Sequence, residues 1–120
     1  MNKICCTTLP LLAVLMAVAG TVQAGGDAKR GAEVFVEECG VCHSAIPGRN
    51  KVGPTLTGIN GRTAGSVPGF AGYSEAMKAA QAKGLTWTDE NIMAYLLDPK
   101  AFLTEFNGQP LKNAMMFQMK

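Results

Sequence analysis

Apolar residues begin to recur at helical spacing shortly after position 24. They lie three and four positions apart, as on one face of a helix: Ala32, Phe35 and Val36. Asp27 is a good N-cap, so we predict a helix over residues 28–39. Gly31 lies inside this helix and costs about 1 kcal/mol relative to alanine. A glycine there indicates that another backbone packs closely against the helix.

Two more helices are indicated further along the chain. Ser74 can cap a helix over residues 75–83, which Gly84 ends, and Thr88 can cap another over residues 89–97. The second of these offers an apolar face: Ile92, Met93, Tyr95, Leu96 and Leu97. We expect this face to be buried, with Met93 as a residue that fills the core.

Proline and glycine mark the remaining boundaries. Asp98 can cap a fourth short helix with Pro99 at its first position, and Gly108 and Pro110 end it. Residues 47–72 hold ten Gly or Pro, a density typical of ordered loops and turns. The pattern predicts an all-α fold with three to four short helices and Gly/Pro-rich loops.

The first 24 residues have the pattern of a cleaved signal peptide. Lys3 supplies the positive charge, residues 9–20 form a short apolar run, and Val22-Gln23-Ala24 is a small-residue cleavage site. The run is shorter than the ~20 residues that span a bilayer. We therefore expect an exported, periplasmic protein whose single domain covers residues 25–120.

Charge and composition exclude two broad classes of protein. The chain has 11 Lys+Arg and 9 Asp+Glu, and without Lys3 the balance is +1, too small for a nucleic-acid binder. The 48% hydrophobic content excludes a disordered chain. Domains as small as this one often need a metal or cofactor to be stable.

Cys39-Gly40-Val41-Cys42-His43 is the C-x-x-C-H motif of covalent c-type haem attachment. On a helical turn, residues three and four apart share a face, so both thiols can reach the vinyl groups of one haem while His43 reaches the iron. A thioredoxin-like pair would need a βαβ pattern, and a structural zinc site would need four ligands. The motif therefore predicts one covalently attached haem c.

The second axial ligand is left open by the motif. His43 is the sole histidine, so a bis-histidine haem is excluded. The sixth position is taken by methionine, lysine, the α-amine or water, or is vacant. The methionines after the signal segment are Met77, Met93, Met115, Met116 and Met119.

The pattern resembles the class I c-type cytochromes over most of residues 26–117. The motifs that carry the resemblance are Gly26-Asp27…Gly31…Val34-Phe35, the C-x-x-C-H motif and Gly53-Pro54-x-Leu56. It implies a small class I cytochrome c fold wrapped around one covalent haem. It also implies that the Pro54 carbonyl accepts a hydrogen bond from His43, which would fix the imidazole and raise its basicity.

Further roles follow from the resemblance alone. Gly61-Arg62-Thr63…Pro68-Gly69-Phe70…Tyr73-Ser74 is similar to the family loop around the haem propionates. Arg62, Tyr73 and Trp87 would pair with these carboxylates; the alternatives are a solvated charge for Arg62 and a core anchor for Trp87. Tyr95 would approach the sulfur of the methionine ligand.

Met115 is the methionine that best fits the family pattern, with Met116 and Met119 as alternatives. Met115-Met116-Phe117 matches the Met-x-Phe part of the family sequence, although residue 114 is alanine where lysine is common. The family also has a C-terminal helix packed across the first helix near Gly31 and Phe35. No such helix follows Met115 here, so we expect that helix to be missing from this sequence.

These residues indicate an electron carrier. After residue 24 there is no second histidine, no pair of carboxylates in a loop and no thiol beyond the two that the haem would take up, so we expect no enzyme and no organic substrate. The alternatives are a haem sensor or weak peroxidase with an open sixth site, and a haem subunit of a larger redox complex. We expect a monomer whose redox partner proteins dock transiently at the haem edge, flanked by Lys51, Lys100 and Lys112.

Overall fold

The computed structural model describes residues 25–120, and the predicted signal peptide lies outside them. The described part is all-α, with four α-helices and one π-helical turn: α1 (Ala28–Val34), the π-turn (Phe35–Cys39), α2 (Glu75–Ala82), α3 (Asp89–Leu97) and α4 (Pro99–Asn107). The one pairing of extended backbone found within it is an isolated bridge between Thr63 and Thr86. None of these helices is long and apolar enough to cross a membrane.

The capping residues place the last three helices where the sequence predicted them. Ser74, Thr88 and Asp98 each accept a hydrogen bond from the backbone N–H three residues later, at 3.2, 3.2 and 2.9 Å. Gly84 and Gly108 follow the ends of α2 and α4 with φ of +82° and +73°, a conformation that favours glycine. The predicted second helix is one residue too long, because Lys83 is the C-cap of α2.

The first helix differs from its prediction. Asp27 caps it as expected and accepts from the N–H groups of Lys29 and Arg30, both at 3.0 Å. However, the α-helix ends at Val34, and the π-turn continues it with a hydrogen bond of 2.7 Å from the Gly40 N–H to the Phe35 carbonyl. A uniform α-helix over residues 28–39 is therefore wrong in its second half.

Glycine has different roles at two positions along this first segment. A Cβ at Gly31 would meet no atom of the described residues within 4 Å, so the expected close approach of a backbone is not seen there. A Cβ at Gly40 would lie 2.8 Å from the Val36 carbonyl oxygen, because the wider π-turn brings that carbonyl against residue 40. Glycine is thus required at the end of the π-turn.

The core lies between α4 and the two helices that pack on it, α2 and α3. Its buried residues form one cluster: Ala64, Ala76, Met77, Ala80, Leu85, Trp87, Tyr95 and Leu103. The predicted apolar face of α3 is only partly buried, since Met93 is 53% and Leu97 59% exposed. These two residues lie one helical turn apart, on the side of α3 away from buried Tyr95. Met93 is therefore not a core residue, and the prediction that it is was wrong.

The loop before α2 is fastened to the segment that precedes α3. The Gly61 N–H donates to the Trp87 carbonyl at 2.6 Å, and the Trp87 N–H donates to the Arg62 carbonyl at 2.9 Å. The Ala64 N–H donates to Leu85 at 2.8 Å. These backbone bonds hold Arg62 and Trp87 side by side.

Candidate functional site

A cavity of about 640 Å³ lies between the π-turn, the loops and the last residues of the described chain. This volume is within the range of about 300–1,000 Å³ that is usual for cofactor and ligand sites. All nine site residues predicted from the sequence line it: Cys39, Cys42, His43, Pro54, Arg62, Tyr73, Trp87, Tyr95 and Met115. Gly31, where the sequence predicted close packing of another backbone, also borders the cavity.

The two cysteines and the histidine belong to one helical turn. The N–H groups of Cys42 and His43 both donate to the Cys39 carbonyl, at 3.1 and 2.9 Å. Both thiols are free; Cys39 is half-buried and Cys42 is exposed. Burial, with a smaller contribution from the charge of Glu38, raises the pKa of the Cys39 thiol. The turn thus presents two thiols and an imidazole to the cavity.

His43 is fixed by the segment that contains Pro54. Its Nδ1 lies 2.8 Å from the Pro54 carbonyl oxygen. A carbonyl can only accept, so Nδ1 carries the proton and Nε2 keeps a lone pair for a metal ion. A Cβ at Gly53 would lie 2.3 Å from the imidazole ring, so this cradle admits only glycine. The motif Gly53-Pro54 was the sequence signal for this contact, but it did not indicate that position 53 itself requires glycine.

Arg62 and Tyr73 line the cavity with polar groups that remain available to an acceptor. Arg62 donates from Nη1 to the Thr57 carbonyl at 2.8 Å and from Nη2 to the Thr55 carbonyl at 3.1 Å. A guanidinium has five N–H groups, so these bonds use two of them. The Tyr73 hydroxyl accepts from the Val67 N–H at 3.0 Å and keeps its own proton to donate.

Trp87 and Tyr95 form the aromatic wall of the cavity. Trp87 is 6% exposed, and its ring lies 5.0 Å from that of Tyr95 at an angle of 62°. Trp87 is thus a core anchor, which was the predicted alternative to a propionate partner, and it also borders the cavity. Burial raises the pKa of Tyr95 to about 12, so its phenol is neutral at physiological pH.

The segment that carries the candidate methionines is tied to the fold at both ends. The Ala76 N–H donates to the Lys112 carbonyl at 3.1 Å, and the Met119 N–H donates to the Leu96 carbonyl at 2.8 Å.

Met115, Met116 and Met119 all line the cavity. Met115 is half-buried and packs against the core, whereas Met116 is 87% exposed. Asn113, which no sequence pattern marks, donates from Nδ2 to the Met115 carbonyl at 2.8 Å.

This donor set fits a c-type haem. The cavity is lined mostly by apolar side chains, and its wall holds paired thiols, an imidazole with a free nitrogen and a thioether. By contrast, residues 25–120 contain no cluster of three or more His, Cys, Asp or Glu that could hold a bare metal ion. In a haem, the porphyrin supplies the iron ligands that these side chains do not provide for a bare metal ion.

Known proteins give the same assignment. No family model matches the chain. Cytochrome c2 of Cereibacter sphaeroides is 44% identical over 104 residues, which are 79% of this chain and 83% of that protein. Cytochrome c2 iso-1 of Rhodospirillum centenum is 54% identical over 82 residues, 68% of this chain and 67% of that protein.

A solved structure of cytochrome c2 from Rhodobacter sphaeroides superposes with a TM-score of 0.74 at 40% identity, and the match covers 80% of this chain and 85% of that one. These relatives do not favour a sensor, a peroxidase or any other enzyme. The chain therefore belongs to the cytochrome c2 family of class I c-type cytochromes, and it is an electron carrier with one covalently attached haem c.

Proposed function

We propose that this protein carries one electron at a time between larger redox proteins through a haem held by His43 and Met115. The observation that carries this proposal is that both residues line one apolar cavity while each is fixed from outside it. The Pro54 carbonyl holds the His43 imidazole, and backbone bonds at Lys112 and Met119 hold the segment around Met115. When bound, the haem iron supplies the one-electron couple.

Met115 is preferred over the other two methionines as the sixth ligand. It is half-buried against the core, and the Asn113 amide fixes its carbonyl. Met116 is 87% exposed, so its sulfur would have to leave the solvent and turn into the cavity. Met119 is half-buried but lies at the point where the segment is bound to Leu96.

The remaining residues have three roles in this proposal. Cys39 and Cys42 form the thioether links. Arg62, Tyr73 and Trp87 provide donors for the propionates, since a carboxylate in a half-buried site is costly unless it is paired. Neutral Tyr95 lines the same cavity as Met115, and we assign its hydroxyl as a hydrogen-bond donor to the Met115 sulfur.

This arrangement suits electron transfer because it limits reorganisation. The imidazole is held by a carbonyl, the thioether segment is bound at two points, and buried Trp87 and Tyr95 form an aromatic wall of the cavity. Axial ligands, hydrogen bonds and burial are the means by which a protein sets the potential of a haem. A methionine ligand favours ferrous iron and raises that potential.

We place the protein in the periplasm, where its redox partners dock transiently at the haem edge. The signal-like pattern of residues 1–24 supports export. Lys100 and Lys112 are exposed, and Lys51 donates from Nζ to the Gly40 carbonyl beside the haem-attachment motif. The net charge of residues 25–120 is only +1, so long-range attraction of a partner is weak.

A redox titration of the matured, haem-loaded protein, followed by its spectrum, tests the proposed ligands. We expect one reversible wave with the slope of a single electron. The oxidised form should be low-spin and six-coordinate and show the weak red band of methionine–iron ligation. A high-spin oxidised spectrum would show an open sixth site and would contradict the His43/Met115 pair.

The salt dependence of oxidation by ferricyanide tests the charge argument. We expect the second-order rate constant to fall by less than about tenfold from about 10 to about 150 mM ionic strength, because a chain of charge +1 attracts a trianion only weakly. Lys112→Glu is expected to lower the rate in low salt and to leave it nearly unchanged in high salt. A steep fall for the parent protein would show a dense cationic patch and would contradict weak attraction.

A further inference from the structure

The hydrogen bond between His43 and Pro54 joins two segments that are eleven residues apart in the chain. The residues directly after each partner are Ser44 and Thr55, and both are only 5% exposed. Neither of them lines the cavity. Two buried hydroxyl residues beside one hydrogen bond indicate that the two segments are fastened to each other behind the imidazole.

Two backbone bonds join these segments, from the Gly53 N–H to the Cys42 carbonyl at 2.8 Å and from the Leu56 N–H to the Ser44 carbonyl at 2.9 Å, and the Thr55 hydroxyl adds the side-chain connection. Its Oγ1 lies 3.1 Å from the Ser44 carbonyl, 3.0 Å from the Ile46 carbonyl and 3.1 Å from Thr57 Oγ1. A hydroxyl has one proton, which the two carbonyls share, and its lone pairs accept from Thr57. The side chain therefore binds the segment after His43 from the segment after Pro54.

The backbone of Thr55 is held as well. Its N–H donates to Asn50 Oδ1 at 3.0 Å, and its carbonyl accepts from Arg62 Nη2 at 3.1 Å. All the polar groups of this buried residue are thus bonded. Because Pro54 directly precedes it, Pro54 cannot move far from His43 while Thr55 stays in place.

We infer that the Thr55 hydroxyl is a positioning group that sets the hydrogen bond from His43 Nδ1 to the Pro54 carbonyl, and through it the haem potential. This inference rests on the proposed role of His43 as an iron ligand. A firm bond from Nδ1 raises the basicity of the imidazole and stabilises ferric iron. Loosening the Thr55 contacts weakens that bond and raises the potential.

Thr55→Val removes the hydroxyl at nearly constant volume. Neither carbonyl then loses every donor, because Ser44 keeps the Leu56 N–H at 2.9 Å and Ile46 keeps the Arg49 N–H at 3.2 Å. The variant should therefore fold and mature. Thr55→Ala is measured in its place if the valine variant does not mature, and the same result is expected.

Two quantities are measured on the haem-loaded Thr55→Val variant and on the parent protein. The first is the haem potential, and the second is the rate at which the His43 Nδ1 proton exchanges with solvent, measured by NMR of the ferrous form. At a fixed applied potential, we expect Thr55→Val to raise the ratio of ferrous to ferric protein by about threefold. This corresponds to a rise of roughly 28 mV in the haem potential, at ~59 mV per tenfold change in the ratio. Proton exchange should accelerate by about tenfold as the bond opens more often.

Two variants separate positioning from mere stability. Thr55→Ser keeps the hydroxyl and should restore both values to those of the parent protein. Ala80→Gly weakens α2 at a buried position that does not line the cavity, and it should lower the denaturant midpoint without moving either value. Equal shifts for Thr55→Val and Thr55→Ser, unchanged proton exchange in Thr55→Val, or the same shifts in Ala80→Gly would each overturn the inference. If His43 is not a ligand, the parent protein itself lacks the six-coordinate low-spin spectrum, which distinguishes that failure from this one.

Discussion

Replacing Cys39 and Cys42 together with alanine leaves the protein without covalently bound haem. Both thiols lie on the turn that faces the cavity, and the described chain contains no other cysteine to form a thioether. The effect on the fold is also large, because the helices surround a cavity of about 640 Å³ that the polypeptide alone does not fill. We expect haem staining on a denaturing gel to fall to background and the helical signal in circular dichroism to be lost.

The single variants and one neighbour test this result. Cys39→Ala and Cys42→Ala should each retain one thioether and yield much less holoprotein than the parent chain. Val41 lies between the two cysteines and is 77% exposed, so Val41→Ala should mature normally. Covalent haem in the double variant would show that the motif is not the attachment site.

The last three helices could be predicted from the sequence because local chemistry fixes their ends. Ser74, Thr88 and Asp98 each bond to a backbone N–H three residues away, and glycines with positive φ follow α2 and α4. Such signals lie within a few residues of the boundary that they set.

The errors at Met93 and at the π-turn have different causes, a distant contact in the first case and a local hydrogen bond in the second. Apolar spacing marks Met93 and Tyr95 alike, but only Tyr95 finds Trp87 and Phe102 to pack against. The π-turn was missed because its hydrogen bond differs from that of an α-helix by one residue, a difference that composition does not record.

The candidate site divides in the same way. The C-x-x-C-H motif is local, and its spacing alone brings Cys39, Cys42 and His43 to one turn. Arg62, Tyr73 and Trp87 were singled out by resemblance, because nothing local says that they share a cavity wall. Thr55 was missed altogether. Its hydroxyl acts across nine to eleven residues, and a single threonine in a glycine-rich loop gives no pattern to detect.

Met115→Ala should lower the potential by on the order of 100 mV, since the choice of axial ligands spans about 0.8 V among haem proteins. The change removes the thioether that favours ferrous iron, and the sixth position passes to water or to a lysine. The oxidised protein should lose the weak red band and become high-spin or lysine-ligated. Spectra recorded during a redox titration give the ligand state and the potential in one experiment.

Met116→Ala is the matched control, because the two methionines are adjacent and differ in burial. Met116 is 87% exposed, so its removal should leave the red band in place and the potential nearly unchanged. Met119→Ala should also keep the band, since its backbone bond to the Leu96 carbonyl does not depend on the side chain. Loss of the band in either control, with its retention in Met115→Ala, would move the ligand to that residue. If that residue were Met116, the segment between Lys112 and Met119 would have to turn over, exchanging a half-buried side chain for one that now lies in water.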